Sequence, residues 1–322
     1  STLAVVEAIA AERVDLLAVE EVEGAEGRAP EERAPVSEAG SGAPTGAPLE
    51  QPARTTPSWR ALPIAPTALA DFQHCARRFE LVHLLGLPEH ARGRRSAKVD
   101  DARGEALLDA RTQGTLAHAV LEQLPLEIFL APDAAAPAVR RALDSAGVPE
   151  SHPQHTAIAG RAIRFLRTAY ARSLGQQGAS VEREVPFVLP IDDGSGRAVT
   201  LRGSMDLVVV WPEGRVDVVD YKSARGGDTS SYAFQLDVYA LAARARYPRA
   251  SALRAGLSFL GGGDGEPVWR ELTPPGELRA RISRLGAELV SARWEDTFPR
   301  VAIDRCEAIY CGFIGRCHPD RP

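Results

Sequence analysis

Methionine occurs once, at Met205, and cysteine four times, and no stretch approaches 18 uninterrupted apolar residues. The last absence excludes a membrane-spanning helix of ordinary length. No secretory signal is visible at the start, so a cytoplasmic setting is expected, which disfavours pairing the four cysteines as two disulfides. With Ser1 in first place, the chain either follows an excised initiator or is a piece of a longer one; the composition of its first segment favours the second. A Walker A pattern is missing, which excludes P-loop ATP hydrolysis, and so is a nucleophile elbow for serine chemistry. No internal repeat is apparent.

What is present is enough for one large domain: 322 residues, 44% of them apolar. The net charge of −5 is unevenly spread. Residues 1–56 hold 11 acidic and 4 basic side chains, which leaves the rest with a balance of +2. Basic pairs such as Arg77 and Arg78, and the run Arg92-Gly-Arg94-Arg95, are able to track phosphates in a domain of that balance.

Residues 1–19 read as a short helical segment, possible end of an upstream domain. Residues 20–63, rich in Glu, Pro, Ala, Gly and Ser, read as a disordered acidic linker, because so little apolar surface cannot offset chain entropy. The ordered domain is expected over 64–322. Thr67 is the expected N-cap of a helix running to Gly86, with a polar loop over 88–110. Further helices are expected over 115–129 and 155–174. The hydrophobic period then changes to two, giving strands over 181–189, 199–210 and 215–222, with a first turn over 192–196. A helix over 230–247, strands over 253–260 and 266–272, a helix over 275–293 and a cysteine-bearing tail follow.

The stretch Val216-Asp-Val-Val-Asp-Tyr-Lys222 organises the rest. Alternate residues of a strand share a face, so Asp220 and Lys222 point the same way and Asp217 the other. Pro212-Glu-Gly214 reads as a tight turn, and pairing about it brings Asp206 of Gly203-Ser-Met-Asp206 close to Asp220. Two carboxylates hold a hard cation such as Mg²⁺, and an ammonium beside them serves the water or the phosphate charge. His118 and Glu122 lie four apart on one helical face, as do Gln235 and Tyr239. Taken singly, His118 reads as an ordinary helix histidine, Glu184 as a surface carboxylate, Tyr239 as core, and Arg77 and Arg78 as surface charge. Cys306, Cys311 and Cys317 are separated by four and five intervening residues, with Cys75 far upstream; an all-cysteine set suits iron–sulfur or zinc.

The order helix, three strands, helix, two strands, with Asp206 on the second strand and Asp220-Tyr-Lys222 on the third, resembles the PD-(D/E)XK nuclease fold. More narrowly it resembles the RecB/AddB-type nuclease domain at the C-terminus of helicase-nucleases. The matching pieces are Phe72-Gln-His-Cys75-Ala-Arg-Arg-Phe79, Gly114-Thr-Leu-Ala-His118, Glu184-Val-Pro-Phe187, Gly203-Ser-Met-Asp206, Val219-Asp-Tyr-Lys222, Gln235-Leu-Asp-Val-Tyr239 and the final cysteines. They stand in the family's order over about 64–317.

The resemblance implies an α/β (α+β) restriction-endonuclease-like core: a mixed central sheet flanked by helices, an N-terminal helical part and a Cys-rich tail. It implies Mg²⁺ or Mn²⁺ held by Asp206, Asp220, His118 and the Tyr221 carbonyl, with Lys222 serving the water. Glu184, Gln235 and Tyr239 would border the site, and Arg77 and Arg78 would bind phosphates. It implies a [4Fe–4S] cluster on Cys75, Cys306, Cys311 and Cys317. The expected activity is cleavage of DNA, single-stranded and from an end, in double-strand-break repair beside a helicase motor in cis or in a complex. A catalytically silent DNA-binding or scaffolding module and a CRISPR-adaptation-type exonuclease are the alternatives; the intact Asp206, Asp220 and Lys222 favour an enzyme.

Overall fold

The computed structural model describes residues 61–89, 107–192, 198–226 and 229–320. The expected N-terminal segment, nearly all of the expected linker, the basic run at Arg92, Arg94 and Arg95 and the turn at 193–197 lie outside the described residues.

Among the described residues, six strands form one mixed sheet. β2 (Ser180–Asp192) and β3 (Ala198–Val210) pair antiparallel along their whole length. The other edge of β3 is shared. Its first residues pair in parallel with β1 (Ala61–Ile64), and its last four pair antiparallel with β4 (Arg215–Lys222). From Arg202 to Asp206 that edge has no strand partner, so β1 and β4 leave a fork in the sheet. β5 (Ala252–Phe259) runs parallel to β4, and β6 (Val268–Arg270) closes the sheet antiparallel to β5.

The turn between β3 and β4 forms as the sequence requires. Trp211 donates to Arg215 and Gly214 to Trp211, and Gly214 takes a φ of 85°, which glycine adopts freely. A parallel pair needs a crossover, and between β4 and β5 it is a helix. This βαβ unit leaves the carboxyl end of β4 open, where such sheets carry their sites.

Helices cover both faces. α1 (Pro66–His74), α8 (Ala233–Arg246) and α9 (Pro275–Glu295) share one core cluster with Val208, Val216, Val218 and Leu257. α3 (Ala110–Gln123), α4 (Leu126–Leu130), α5 (Ala135–Ser145), α6 (His155–Leu166) and α7 (Ala169–Gln176) share a second with Leu207, Val209, Val219 and Tyr221. Strand alternation thus sends even residues of β4 to one face and odd ones to the other. In β2 the alternation changes sides: Val185 packs with the first cluster and Val181 with the second. Between them Glu184 has a φ of 45°, unusual for a side chain with a Cβ.

Several expected helices are broken. α1 starts at Pro66, with Ala65 rather than Thr67 as its N-cap, because proline at the first position has no N–H to satisfy. It stops at Cys75, which is extended, and the chain restarts as α2 (Ala76–Phe79) and a wider turn over Glu80–Leu84. The Cys75 Sγ caps that restart by accepting from Arg78 N at 3.4 Å. The helix expected over 115–129 is α3 and α4, split at Pro125. The one expected over 155–174 is α6 and α7, split at Thr168, whose hydroxyl oxygen accepts from Ala171 N. α5 was not expected; Ala135, Ala138, Val139 and Leu143 are its buried stripe, and Pro137 fits its first turn. β1 begins at Ala61, inside the span read as linker. The tail forms α10 (Ile303–Ala308) and α11 (Ile314–Cys317), whose buried residues pack with Leu81.

Asp217 sits, as expected, on the face opposite to that of Asp220. It is fully buried and accepts from Arg254 at 2.9 and 2.7 Å, from Trp211 Nε1 at 2.7 Å and from the Tyr170 hydroxyl at 3.3 Å. Removing one partner of a buried pair strands the donors of the other. Asp217→Ala should therefore cost about 3 kcal/mol, read as a lower urea midpoint, while the folded fraction keeps its activity. An unchanged midpoint would show that the network contributes nothing.

Candidate active site

The fork in the sheet gathers the charged residues. The last β3–β4 pair is Leu207 with Val219, so Asp206 and Asp220 follow next, where the strands part. Tyr221 N, which has no strand partner on that side, donates to Asp206 Oδ2 at 2.7 Å. A strand residue's N–H and C=O face the same neighbour, so the Tyr221 carbonyl is turned toward the same edge.

Asp220, 2% exposed, has Lys222 Nζ 2.7 Å from its Oδ2. That contact lies off the direction of a hydrogen bond, and Oδ2 has no hydrogen-bond partner. Gln235, from the first turn of α8, joins the two: its Nε2 donates to Asp220 Oδ1 at 3.0 Å, and its Oε1 accepts from Lys222 Nζ at 2.9 Å. The same Nε2 reaches the Tyr239 hydroxyl one turn on, at 2.8 Å. The Tyr232 ring lies 4.9 Å from Lys222 Nζ, a cation–π contact that closes the pocket around the ammonium.

His118 comes from the other face. Its Nδ1 is 3.6 Å from Asp206 Oδ2, and its ring stands edge-on to Tyr221. The close approach of α3 explains the Gly114-x-x-x-His118 spacing. A Cβ at position 114 would overlap the Ser223 hydroxyl, so only glycine lets α3 lie against the end of β4. One turn later His118 faces the carboxylates. Glu184 enters from β2 near Asp206 and adds negative charge to it.

The electrostatics follow from this crowding. Burial holds the Asp206 carboxyl well above its usual range, the Asp220 charge raises it further, and the Tyr221 N–H opposes both. Burial also raises Asp220, against the nearby Lys222 ammonium. Burial and the two carboxylates push the Tyr239 hydroxyl far up, so it remains protonated. Such carboxylates bind protons more readily folded than unfolded. Their contribution favours the fold at low pH and is lost as pH rises from the ordinary carboxylate range through the raised folded range.

Two carboxylates, an imidazole and a backbone carbonyl suit a hard divalent cation, and Asp220 Oδ2, which meets only the Lys222 ammonium, keeps a lone pair for it. Among the described residues no set of three or more His, Cys, Asp or Glu side chains already stands in a ligand arrangement.

The cysteines converge elsewhere. All four are free thiols, three of them buried. Burial and then the charges of Cys311, Cys75 and Cys317 push the Cys306 thiol up to about 11, and Cys306, Cys311 and Cys317 share one small apolar cluster with Leu81. His318 Nε2 is 3.7 Å from Cys306 Sγ. Arg77 and Arg78 each stand in an ion pair. Arg77 pairs with Glu80, and Arg78 pairs with Asp71 and with Glu89, which also accepts from Gly312 N at 2.9 Å. That network ties the helical restart to the cysteine tail. Glu122 is exposed on α3. Tyr232, Ser223 and Gly114 were not singled out from sequence as parts of this site; the Gly-x-x-x-His spacing was the available signal for Gly114.

The family model described as PD-(D/E)XK nuclease superfamily matches residues 63–318. No curated protein matches. Among solved structures, the one described as the crystal structure of SSO0001 aligns at 16% identity over 64% of this chain and 86% of its own, with a TM-score of 0.30, and no inference is drawn from it.

Because the Asp206–Asp220 repulsion opposes folding at neutral pH, Asp206→Asn should raise the thermal midpoint of the metal-free protein at pH 8. The gain should shrink toward pH 4, where the wild-type carboxyl is itself protonated. Differential scanning calorimetry at the two pH values reads both. A variant less stable than wild type at pH 8 would contradict the assignment of raised carboxyls.

Proposed function

Since this chain belongs to the PD-(D/E)XK nuclease superfamily, we propose that it hydrolyses phosphodiester bonds of DNA with Mg²⁺ or Mn²⁺ between Asp206 and Asp220. The observation that carries this is the convergence of two largely buried carboxylates and one ammonium, with Asp220 Oδ2 paired to Lys222 alone. Asp206, Asp220, His118 and the Tyr221 carbonyl would hold the cation. When bound, it supplies charge for the phosphate and lowers the pKa of water.

The chain's own residues do the rest. Gln235 fixes Lys222 and Asp220 together, so the ammonium is held at the mouth of the site without being free to swing away. From there Lys222 stabilises the negative charge that develops on the phosphate or orients the attacking water. Tyr239, kept protonated, holds Gln235 in place from below. Glu184, in its strained backbone conformation, sits beside Asp206 as a further acceptor for water.

The finer reading follows the resemblance: an exonuclease for single-stranded ends, in double-strand-break repair, coupled to a helicase motor. The thiols add a second proposal, a [4Fe–4S] cluster on Cys75, Cys306, Cys311 and Cys317, supported by their convergence and their all-sulfur donor set. No catalytic step depends on it; it would fasten the tail to the break between α1 and α2.

Asp220→Ala should abolish cleavage of a labelled oligonucleotide, and Lys222→Ala should slow it by about 10²- to 10³-fold, the scale of losing one electrostatic stabiliser. Full activity in Asp220→Ala, or in EDTA, would reject the metal-dependent reading. Protein purified without oxygen should carry about four irons per chain; zinc or no metal would reject the cluster and leave the nuclease reading intact.

A further inference from the structure

On the face of the sheet covered by α3–α7, α6 carries Arg161 and Arg164 and is followed by its C-cap Arg167, three residues apart and within about 9 Å along the helix direction. The row starts at the active site. Arg161 Nη1 donates to the carbonyl of Ser223, the residue after Lys222, at 3.2 Å. Arg164 donates to the carbonyl of Leu260, at the end of β5. Arg167 is exposed beyond it, Arg225 is exposed on the loop after β4, and Arg140 is exposed in the middle of α5.

These five guanidinium groups lack the carboxylate partner that six other arginines of the domain have. Arg77, Arg78, Arg215, Arg246, Arg254 and Arg270 each pair with a carboxylate. Among the described residues none of the five forms an ion pair. The Arg161 guanidinium is pushed below its ordinary range by burial and then by the like charges of Arg164 and Arg225. Arginines held together against their own repulsion leave an uncompensated positive field.

The row ends in a cavity of about 520 Å³ lined by Arg140, Arg164 and Arg167. Its wall also includes His155, 2% exposed, whose Nε2 has no hydrogen-bond partner. A buried ring nitrogen without a partner is costly, and the cavity is where a partner would come from. Two acids, Glu150 and Asp264, line the same cavity; Asp264 accepts from Glu266 N, and Glu266 in turn caps the start of α7. The basic side chains outnumber them, so the site selects an anion.

We propose that this arginine row is the track of the substrate strand: phosphates leave the catalytic carboxylates along Arg161 and Arg164, and one is seated over His155 between Arg140 and Arg167. The inference rests on the nuclease reading for the direction of the strand, and it adds a binding surface remote from the reacting atoms. The occupant is the sugar–phosphate backbone of a single strand, since the contacts are guanidinium groups with no aromatic platform for stacking.

The test uses the whole chain and two exposed residues outside the catalytic cluster. A fluorescein-labelled 20-nucleotide oligothymidylate is titrated in EDTA by anisotropy, and its cleavage is followed in Mg²⁺. Arg140→Glu/Arg167→Glu should weaken binding at least tenfold at low salt. It should also flatten the plot of log K against log salt by about 1.4, the value for two lost single-strand contacts. KM should rise with kcat unchanged, and cleavage of a dinucleotide, which has no phosphate beyond the scissile one to place in the cavity, should stay as in wild type. His155→Leu should weaken binding of the long strand without lowering the thermal midpoint, which a merely structural histidine would not do. Wild type that cleaves, with a double variant of unchanged affinity and salt slope, overturns the track and leaves the nuclease reading standing. Wild type that binds without cleaving, with binding lost in the double variant, overturns the nuclease reading and keeps the track. Neither binding nor cleavage overturns both.

Discussion

Everything about the site follows from one unfavourable contact, the burial of Asp206 and Asp220 side by side. Burial raises both carboxyls, and each charge raises the cost of the other. A fold tolerates this only if the surroundings fix the pair in place, and here they do. Asp206 is held by the Tyr221 amide, and Asp220 by Gln235 and Lys222. The fork left where β1 and β4 diverge along β3 is what makes the Tyr221 amide available, because a continuous ladder would have used it. The sheet therefore gives up a few ladder hydrogen bonds at the place where a cation would repay the repulsion.

What could be read in advance depended on period and sign. β4 was legible over its whole length because its apolar residues run unbroken and its charges sit at fixed positions. From period two alone Asp220 and Lys222 fall on one face and Asp217 on the other, and the structure has them so. The pairing of Asp206 with Asp220 followed from one turn. The fold class was legible for the same reason. The helix breaks were not, since each is a local capping event. Cys75, Pro125 and Thr168 interrupt stretches whose apolar spacing continues across the break. β1 was missed because four residues, one of them Pro63, carry too little pattern to mark a strand.

Arg77 and Arg78 show what charge alone does not convey. Next to a positive domain balance they read as phosphate ligands, and in space Arg77 also meets Glu80 while Arg78 meets both Asp71 and Glu89. Arg78, between Asp71 and Glu89, serves to lock the π-like turn to Gly312 and so to the cysteine tail. Nothing in the sequence near Arg78 announces Glu89 as a partner eleven residues on. The unpaired arginines of α6 were equally invisible, because their meaning lies in the carboxylates that are missing around them in space.

The two helical layers divide the labour at the site. α8, from the first layer, supplies Gln235 and Tyr239 and fixes the ammonium; α3, from the second, supplies His118. α3 and α6 both lie against Ser223, α3 through the bare backbone of Gly114 and α6 through Arg161. The residue that follows Lys222 is thus clamped from two sides. This clamp sets the direction of the loop after β4, and with it the position of Arg225 relative to the row on α6. Catalytic geometry and the positive field are consequently one structure: the close packing that aims His118 at Asp206 also starts the arginine row beside Lys222.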